Sequence, residues 1–199
     1  MPNLIVAMTG ASGAAYGRRL LARLAGYEAL HLHLVVSAAA LRVLQEEEGL
    51  RLSTSRPQEA LAGAAAGRAV WHPVEDIGAS IASGSFRTIG MVVVPCSMGT
   101  LSSIAHGASR NLVERAADVC LKERRKLILV PRETPLSLVH LENMTAAVRA
   151  GAVVMPASPG FYHRPRSVED LLDFLVGRIL DHLDLPHDLV QRGTVSAEE

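Results

Sequence analysis

Several things are scarce in this 199-residue chain, and each scarcity closes off a class of function. It has two cysteines, Cys96 and Cys120, and neither belongs to a C-x-x-C pair. That argues against a disulfide framework or a structural zinc site and suits a reducing cytoplasm. Neither sign of charge is in excess, with Lys plus Arg at 20 and Asp plus Glu at 20. No basic stripe is interleaved with aromatics, so nucleic acid is not an expected partner. No apolar run approaches the ~20 residues that cross a bilayer, and the N-terminus lacks a basic stretch leading into an apolar core and cleavage site. The expectation is a cytoplasmic domain without membrane association.

What is present is core. Hydrophobic residues make up 49% and charged residues 20%, enough for one globular domain over residues 1–185 with a tail over 186–199. Short β-rich runs at 4–8, 32–37, 91–95, 127–131 and 152–155 alternate with helical patterns near 14–25, 38–47, 111–124, 137–149 and 168–184. The runs Val92-Val93-Val94, Leu127 to Val130 and Val153-Val154 are uninterrupted apolar, as in parallel strands covered on both faces. Asn111 with Glu114, and Ser167 with Asp170, have the spacing of capping boxes. Leu112, Ala116, Val119 and Cys120 fall on one helical face; Leu171, Leu172, Leu175 and Ile179 form another stripe. Residues 51–69, rich in Ala and Gly, read as helix or loop. The fold class is α/β: a doubly wound, Rossmann- or flavodoxin-like parallel sheet with helices on both faces.

The first strand runs into "MTGASGAAYG" and then into a helix, the layout of a phosphate cradle at a helix N-terminus. Its glycines, Gly10, Gly13 and Gly17, have neither the dinucleotide G-x-G-x-x-G nor the P-loop spacing. Strand two ends in Ser37 and Ala38 with no carboxylate for a ribose hydroxyl, so a dinucleotide is disfavoured. The hydroxyls of Ser12, Ser37, Ser97 and Thr100 suit a phosphate monoester with a polyol chain, as in FMN. Each strand ends in a turn-rich segment, including "PCSMGT", "PRETP" and "PASPGFYHRP". One such loop alone is ordinary turn chemistry. All of them on one edge of a sheet make a site.

Within "LKERRKLILVPRE", Arg124, Arg125 and Lys126 read as favourable charge at a helix end. Arg132 and Glu133 follow a buried strand and so point into the crevice, a cation beside a carboxylate. His31 and His33 alternate on strand two without a third ligand nearby, the pattern of a surface or core pair rather than a metal site. Met98, Met144 and Met155 read as core filler.

Taken together, "MTGASGAAYG", "ASGSF", "PCSMGTLSSIAHG", "NLVERAADVCLKERR", "LVPRETPL", "HLENM" and "PGFYHRPRSVEDLLDF" resemble the UbiX family of flavin prenyltransferases. The resemblance covers the chain except for the Ala-rich stretch and the tail. It implies attachment of a dimethylallyl group from a dimethylallyl phosphate to N5 and C6 of reduced FMN. The product would serve a UbiD-type decarboxylase. It also implies a metal-independent reaction and a homododecamer with sites between subunits. By position, Gly10, Ala11, Ser12, Ser37, Ser97, Met98, Gly99, Thr100 and Arg132 would hold FMN. Lys122, Arg132, Tyr162 and Arg178 would hold the prenyl phosphate, some of them from a neighbouring subunit. Ser12, Glu47 and Glu133 would handle protons, with Lys122 also in the catalytic set. Glu46 and Glu48 flank Glu47, which leaves that register open by one. For Arg178, a helix-end charge and a phosphate ligand are equally compatible with its spacing. Gly99 stands where many members have Lys, and Trp71 lies near the region where some bring an aromatic into the site.

The rival flavin-dependent cysteine decarboxylases carry a histidine after the first strand and segments like "PASANT" and "PxMNxxMW", all absent here. Direct decarboxylation of an aromatic acid, with Glu133 as proton donor, stays open from the sequence. A flavin carrier is disfavoured, because FMN alone requires one phosphate site and the cations here supply two.

Overall fold

Leu4 to Met8 are all buried, so β1 (Asn3–Met8) is covered on both faces, as a central parallel strand must be. The computed structural model of the chain describes residues 1–52 and 57–189. After β1 come α1 (Ala14–Leu24), β2 (His31–Val36), α2 (Ala38–Glu48), α3 (Pro57–Ala62), β3 (Ala69–His72) and β4 (Met91–Cys96). The chain continues through α4 (Met98–Ala105), α5 (Leu112–Lys122), β5 (Leu127–Pro131), α6 (Leu138–Arg149), β6 (Val153–Val154) and α7 (Val168–His182).

The strands form one sheet in the order β3-β2-β1-β4-β5-β6, and every pairing is parallel. Side chains alternate across it. Leu4, Val6 and Met8 enter one core with α1, α2, α3 and α7, while Ile5 and Ala7 enter the other with α4, α5 and α6. The winding reverses at β1: the chain moves outward through β2 and β3, then returns to β4 on the other side. This opens a crevice beyond the carboxyl ends of β1 and β4. On one face α1 is clamped to α7, where the Asp173 carboxylate accepts bidentate bonds from Arg19 (2.7 and 2.5 Å) and Arg23 (3.2 and 2.6 Å).

The structure departs from the sequence reading in several places. Residues 57–69 are ordered as α3, a 3₁₀ turn over Gly63–Arg68 and the start of β3; residues 53–56 of the Ala-rich stretch lie outside the described residues. β3 is an edge strand with Val70 exposed and Trp71 half-buried. Its apolar stretch, Ala69-Val70-Trp71, is short, and its pairing with β2 makes it a strand. The segment "MGTLSSIA" is the helix α4, not only a loop. β6 is also an edge strand, and Val153 and Val154 are half-buried, not covered on both faces. Ser167 and Asp170 do form a capping box. Asn111 caps α5 through its side chain, but Glu114 turns to the N–H of Arg110 instead of completing the box. In α7 the buried set is Leu175, Val176, Ile179 and Leu180, with Leu171 and Leu172 at the margin.

Residues 186–189 of the expected tail are docked. The Tyr27 hydroxyl donates to the Pro186 carbonyl (2.6 Å), and the almost enclosed His187 ring sits 3.0 Å from Asp181. Residues 190–199 lie outside the described residues. Among the described residues no helix is long and apolar enough to cross a membrane.

Candidate functional site

The loop after β1 crosses the crevice and is fastened on three sides. Buried Thr9 donates its hydroxyl to the Pro95 carbonyl (3.1 Å), and its Oγ1 accepts the Ser97 N–H (2.7 Å). One side chain thus joins the loops leaving β1 and β4. A Cβ on Gly10 would lie 2.5 Å from the Ala39 Cβ, so the loop rests against the first turn of α2. Gly13 has φ of 102° and opens α1, a left-handed conformation that side chains resist. A Cβ on Gly17 would meet the Met8 methyl and the Val94 carbonyl, both at 2.7 Å, so its absence lets α1 lie on the sheet. The three glycines answer three packing demands, which is why their spacing matches no phosphate-loop motif.

The α1 N-terminus is not the anion site the glycine pattern predicts. The Glu47 carboxylate accepts the N–H groups of Gly13 (2.9 Å) and Ala14 (2.9 Å). Burial acts to raise the Glu47 pKa, but hydrogen bonds from Ser12, Ala14 and Gly13 and the charge of Arg132 outweigh it and hold the group below its ordinary value. The neighbouring acids go elsewhere, Glu46 to Arg42 and Glu48 to Arg18. Of the three consecutive glutamates, Glu47 is the one in the crevice. Arg132, leaving β5, donates through Nε to the Ser12 carbonyl (3.3 Å). Ser12, Glu47 and Arg132 therefore converge on Gly13.

Two other helix N-termini face the same edge. Ser37 caps α2 by accepting the Ala40 N–H, and Ser97 caps α4 by accepting the Thr100 N–H, its hydroxyl lying 3.0 Å from that of Thr100. Neither first turn carries an acidic residue, so the positive ends of both dipoles are available to an anion. Hydroxyls, two helix N-termini and one guanidinium match a phosphate monoester with a polyol chain, and the flavin mononucleotide expected from the sequence fits this donor set. Ala11 and Met98 are buried, while Gly99 is exposed and a Cβ there would meet nothing within 4 Å.

The other expected site residues are not gathered here within one chain. Exposed Glu133 turns its carboxylate to the Thr134 N–H (3.1 Å). Lys122 ends α5 at the opposite edge of the sheet from Arg132, separated by the length of β5, roughly 17 Å at 3.3 Å per residue. There it pairs with Glu123 (2.6 Å), beside Gly84 of "ASGSF". Tyr162 is 78% exposed, with its ring edge-on to His163 and Phe174. Arg178 lies on the outer side of α7, paired with Asp181 (2.9 Å). Trp71 packs against the core shared with α1 and α7.

Thr9 escapes a sequence reading, although it is the first polar residue after a buried strand at the winding reversal. His72 escaped it too. Its Nε2 lies 2.9 Å from Nδ1 of buried His33, and the rings stack. Among the described residues no three His, Cys, Asp or Glu side chains are grouped to hold a metal. Met98, Met144 and Met155 pack into or against the two cores. Cys96 and Cys120 are free and buried, and burial pushes both thiols up to about 12, so neither supplies a thiolate.

A flavoprotein family model matches residues 1–180. The chain is 51% identical over 192 residues to the flavin prenyltransferase UbiX of Alkalihalophilus pseudofirmus, covering 95% of this chain and 94% of that one. Its fold is similar to the crystal structure of AnUbiX (PadA1) in complex with FMN and dimethylallyl pyrophosphate (TM-score 0.87, 44% identity, 97% of each chain). It is also similar to a dodecameric FMN-dependent UbiX-like decarboxylase from Escherichia coli O157:H7 (TM-score 0.86, 45% identity, 96% of this chain and 99% of that one).

Proposed function

The chain belongs to the flavoprotein family, among its UbiX flavin prenyltransferases, and on that premise we propose that it transfers the dimethylallyl group of a dimethylallyl phosphate to N5 and C6 of reduced FMN. The observation that carries this reading is the convergence of Ser12, Glu47 and Arg132 on Gly13 at the winding reversal. A cation for a leaving phosphate stands there beside a hydroxyl and a carboxylate able to relay a proton.

FMN supplies the nucleophile, and the protein supplies position and charge. Ser37, Ser97 and Thr100 at the α2 and α4 N-termini hold the FMN phosphate, while the loop from Gly10 to Ser12 and the backbone of Met98 and Gly99 border the rest of the molecule. As the allylic C–O bond breaks, its electron pair leaves on the phosphate oxygen, and Arg132, Lys122 and Arg178 stabilise that charge. Ser12, Glu47 and Glu133 accept and return protons during ring closure. Tyr162 closes over the donor and lends its hydroxyl to the phosphate.

Lys122 reaches that phosphate from a neighbouring subunit, since its own chain holds it at the far edge of the sheet. Self-association is supported by α6, where Leu138, Leu141 and Val148 leave an apolar face on the surface, 70%, 45% and 54% exposed; such a face is the mark of a covered surface. The assembly is a homo-oligomer, a dodecamer as in the solved relative. The product passes to a UbiD-type decarboxylase in the cytoplasm, where buried free thiols persist.

The test is anaerobic: purified protein, reduced FMN and dimethylallyl monophosphate, with the flavin analysed by mass spectrometry. A flavin heavier by one C5H8 unit is expected. Unmodified FMN from protein shown to bind flavin would favour a carrier or a decarboxylase.

A further inference from the structure

Residues 186–189 follow α7 by a few positions and fold back onto it. Leu185 and Leu189 pack against the core shared with α1 and α7, and the Tyr27 hydroxyl donates to the Pro186 carbonyl at 2.6 Å. Apolar contact and one anchor are enough to dock such a segment. Yet between the two leucines stands His187, whose side chain is only 4% exposed. Enclosing an imidazole is unfavourable unless its ring nitrogens are hydrogen-bonded. Both are bonded here. Nδ1 accepts the Leu189 N–H (3.2 Å), which places the ring proton on Nε2, and Nε2 donates to Oδ1 of Asp181 (3.0 Å).

The other carboxylate oxygen of Asp181, Oδ2, accepts from Nη1 of Arg178 (2.9 Å). One carboxylate thus joins an enclosed imidazole to a guanidinium that is 48% exposed. An exposed pair three residues apart on a helix contributes little by itself, because two flexible side chains lose freedom to make it. Here His187 has already fixed the carboxylate, so the remaining loss falls on Arg178 alone. Among the described residues Asp181 is the only partner of Arg178, which leaves most of its guanidinium fork for an anion.

We propose that His187 is a positioning residue for prenyl transfer: acting through Asp181, it sets the direction in which Arg178 meets the donor phosphate. This rests on the reading of Arg178 as a ligand of that phosphate. His187 moves no proton in this role. It fixes the geometry of one cation, and misplacing such a group weakens donor binding first.

The FMN-loaded protein is assayed anaerobically with dimethylallyl monophosphate. His187→Leu, which removes both ring nitrogens, should raise donor KM roughly three- to tenfold, the range of one hydrogen bond. The kcat should fall less, and the FMN dissociation constant should not change. Asp181→Asn, close in shape to the parent, should raise KM on the same scale. His187→Gln keeps a side-chain N–H for Asp181 and should stay near the parental KM. In an Arg178→Ala background His187→Leu should add nothing further, since the cation it orients is gone. A merely structural role would lower the unfolding temperature of His187→Leu and leave KM where it was. That outcome, or losses in His187→Leu and Arg178→Ala that add in the double variant, would overturn the proposal and leave Arg178 as a ligand. Should His187→Leu fail to fold, a parental KM in Asp181→Asn would overturn it equally. An Arg178→Ala enzyme with the parental donor KM would remove the ligand reading itself, and this proposal with it.

Discussion

The Glu47 carboxylate lies 2.9 Å from the Gly13 N–H and caps α1 from the far end of α2. A helix N-terminus that looks in sequence like an anion site is thus filled by the protein's own anion. The Gly13 turn, the Ser12 hydroxyl and Arg132 are drawn together around that carboxylate.

Two substitutions at this position should behave differently. Glu47→Ala removes the cap and should cost about 1 kcal/mol of stability, read as a lower urea midpoint at unchanged m-value. Glu47→Gln keeps an oxygen for the two N–H groups and should stay within about 0.5 kcal/mol of the parent. It should nevertheless lose at least ~100-fold in prenylation rate, the low end for a proton-transfer group. A Gln variant with near-parental turnover would reduce Glu47 to a structural cap.

Gly10 and Gly99 make a matched pair. Gly10→Ala drives a Cβ to 2.5 Å from the Ala39 Cβ, so α2 must shift. The expected cost is roughly 1–3 kcal/mol, with weaker FMN binding because Ser37 moves with the helix. Gly99→Ala enters open space in the first turn of α4 and should stabilise by up to about 1 kcal/mol, with flavin affinity retained. Flavin titrations and melting curves on both variants decide the matter; a Gly10→Ala protein that melts and binds like the parent would contradict the close approach.

Glu133 and Lys122 separate flavin binding from donor chemistry. Glu133→Gln should keep FMN and lose the mass-shifted product. Lys122→Ala should raise KM for the donor by roughly tenfold and leave the FMN dissociation constant alone. Equal loss of both affinities in Lys122→Ala would contradict two separate phosphate sites.

Arg124 should be stabilised by replacement with glycine. It follows the α5 cap with φ of 53°, while the Arg124 and Arg125 N–H groups donate to the Leu121 and Cys120 carbonyls. This is a helix terminus in which glycine is the usual occupant. Arg124→Gly should gain roughly 0.5–1 kcal/mol. A lower urea midpoint would mean that the arginine side chain contributes more than its backbone costs.

The His33–His72 pair should make stability fall in mild acid. Burial, then the charges of His72 and His31, lower the His33 pKa from 6.5 to about 4. Burial also lowers His72, against the opposing pull of Asp76. Between those two values the unfolded chain holds more protons than the folded one, so stability declines as pH drops from 6.5 towards about 4. The slope reaches at most ~1.4 kcal/mol per pH unit for each histidine. Chemical denaturation across this range should show a shallower decline for His33→Gln, and parallel curves for the two proteins would remove the pair as the cause.

The sheet was legible in the sequence wherever a strand is covered on both faces: the runs at 91–95 and 127–131 carry uninterrupted apolar residues because both sides of β4 and β5 are packed. β3 was not legible, because an edge strand with Val70 exposed carries only the short stretch Ala69-Val70-Trp71, next to an Ala- and Gly-rich segment, and exists through its partner. The caps at Asn111 and Ser167 could be read because a cap is a contact between near neighbours. The hydroxyl-rich ends of β1, β2 and β4, and the absence of an acid after β2, likewise pointed to a mononucleotide flavin.

Contacts between distant segments were decided only by the folded chain. Glu47 meets Gly13 because α2, with its first turn against Gly10, passes along the loop after β1 and brings its last turn to the start of α1. His33 meets His72 because the pairing of β2 with β3 sets His33 opposite Val70 and His72 opposite Val35, diagonal neighbours on one face of the sheet. Lys122 and Arg132, ten positions apart and both basic, are held at opposite edges of the sheet because a whole strand lies between them. Local periodicity records which face of an element is covered. Which elements cover it, and which side chains they bring along, follows from the crossovers, and these leave no local trace in the order of residues.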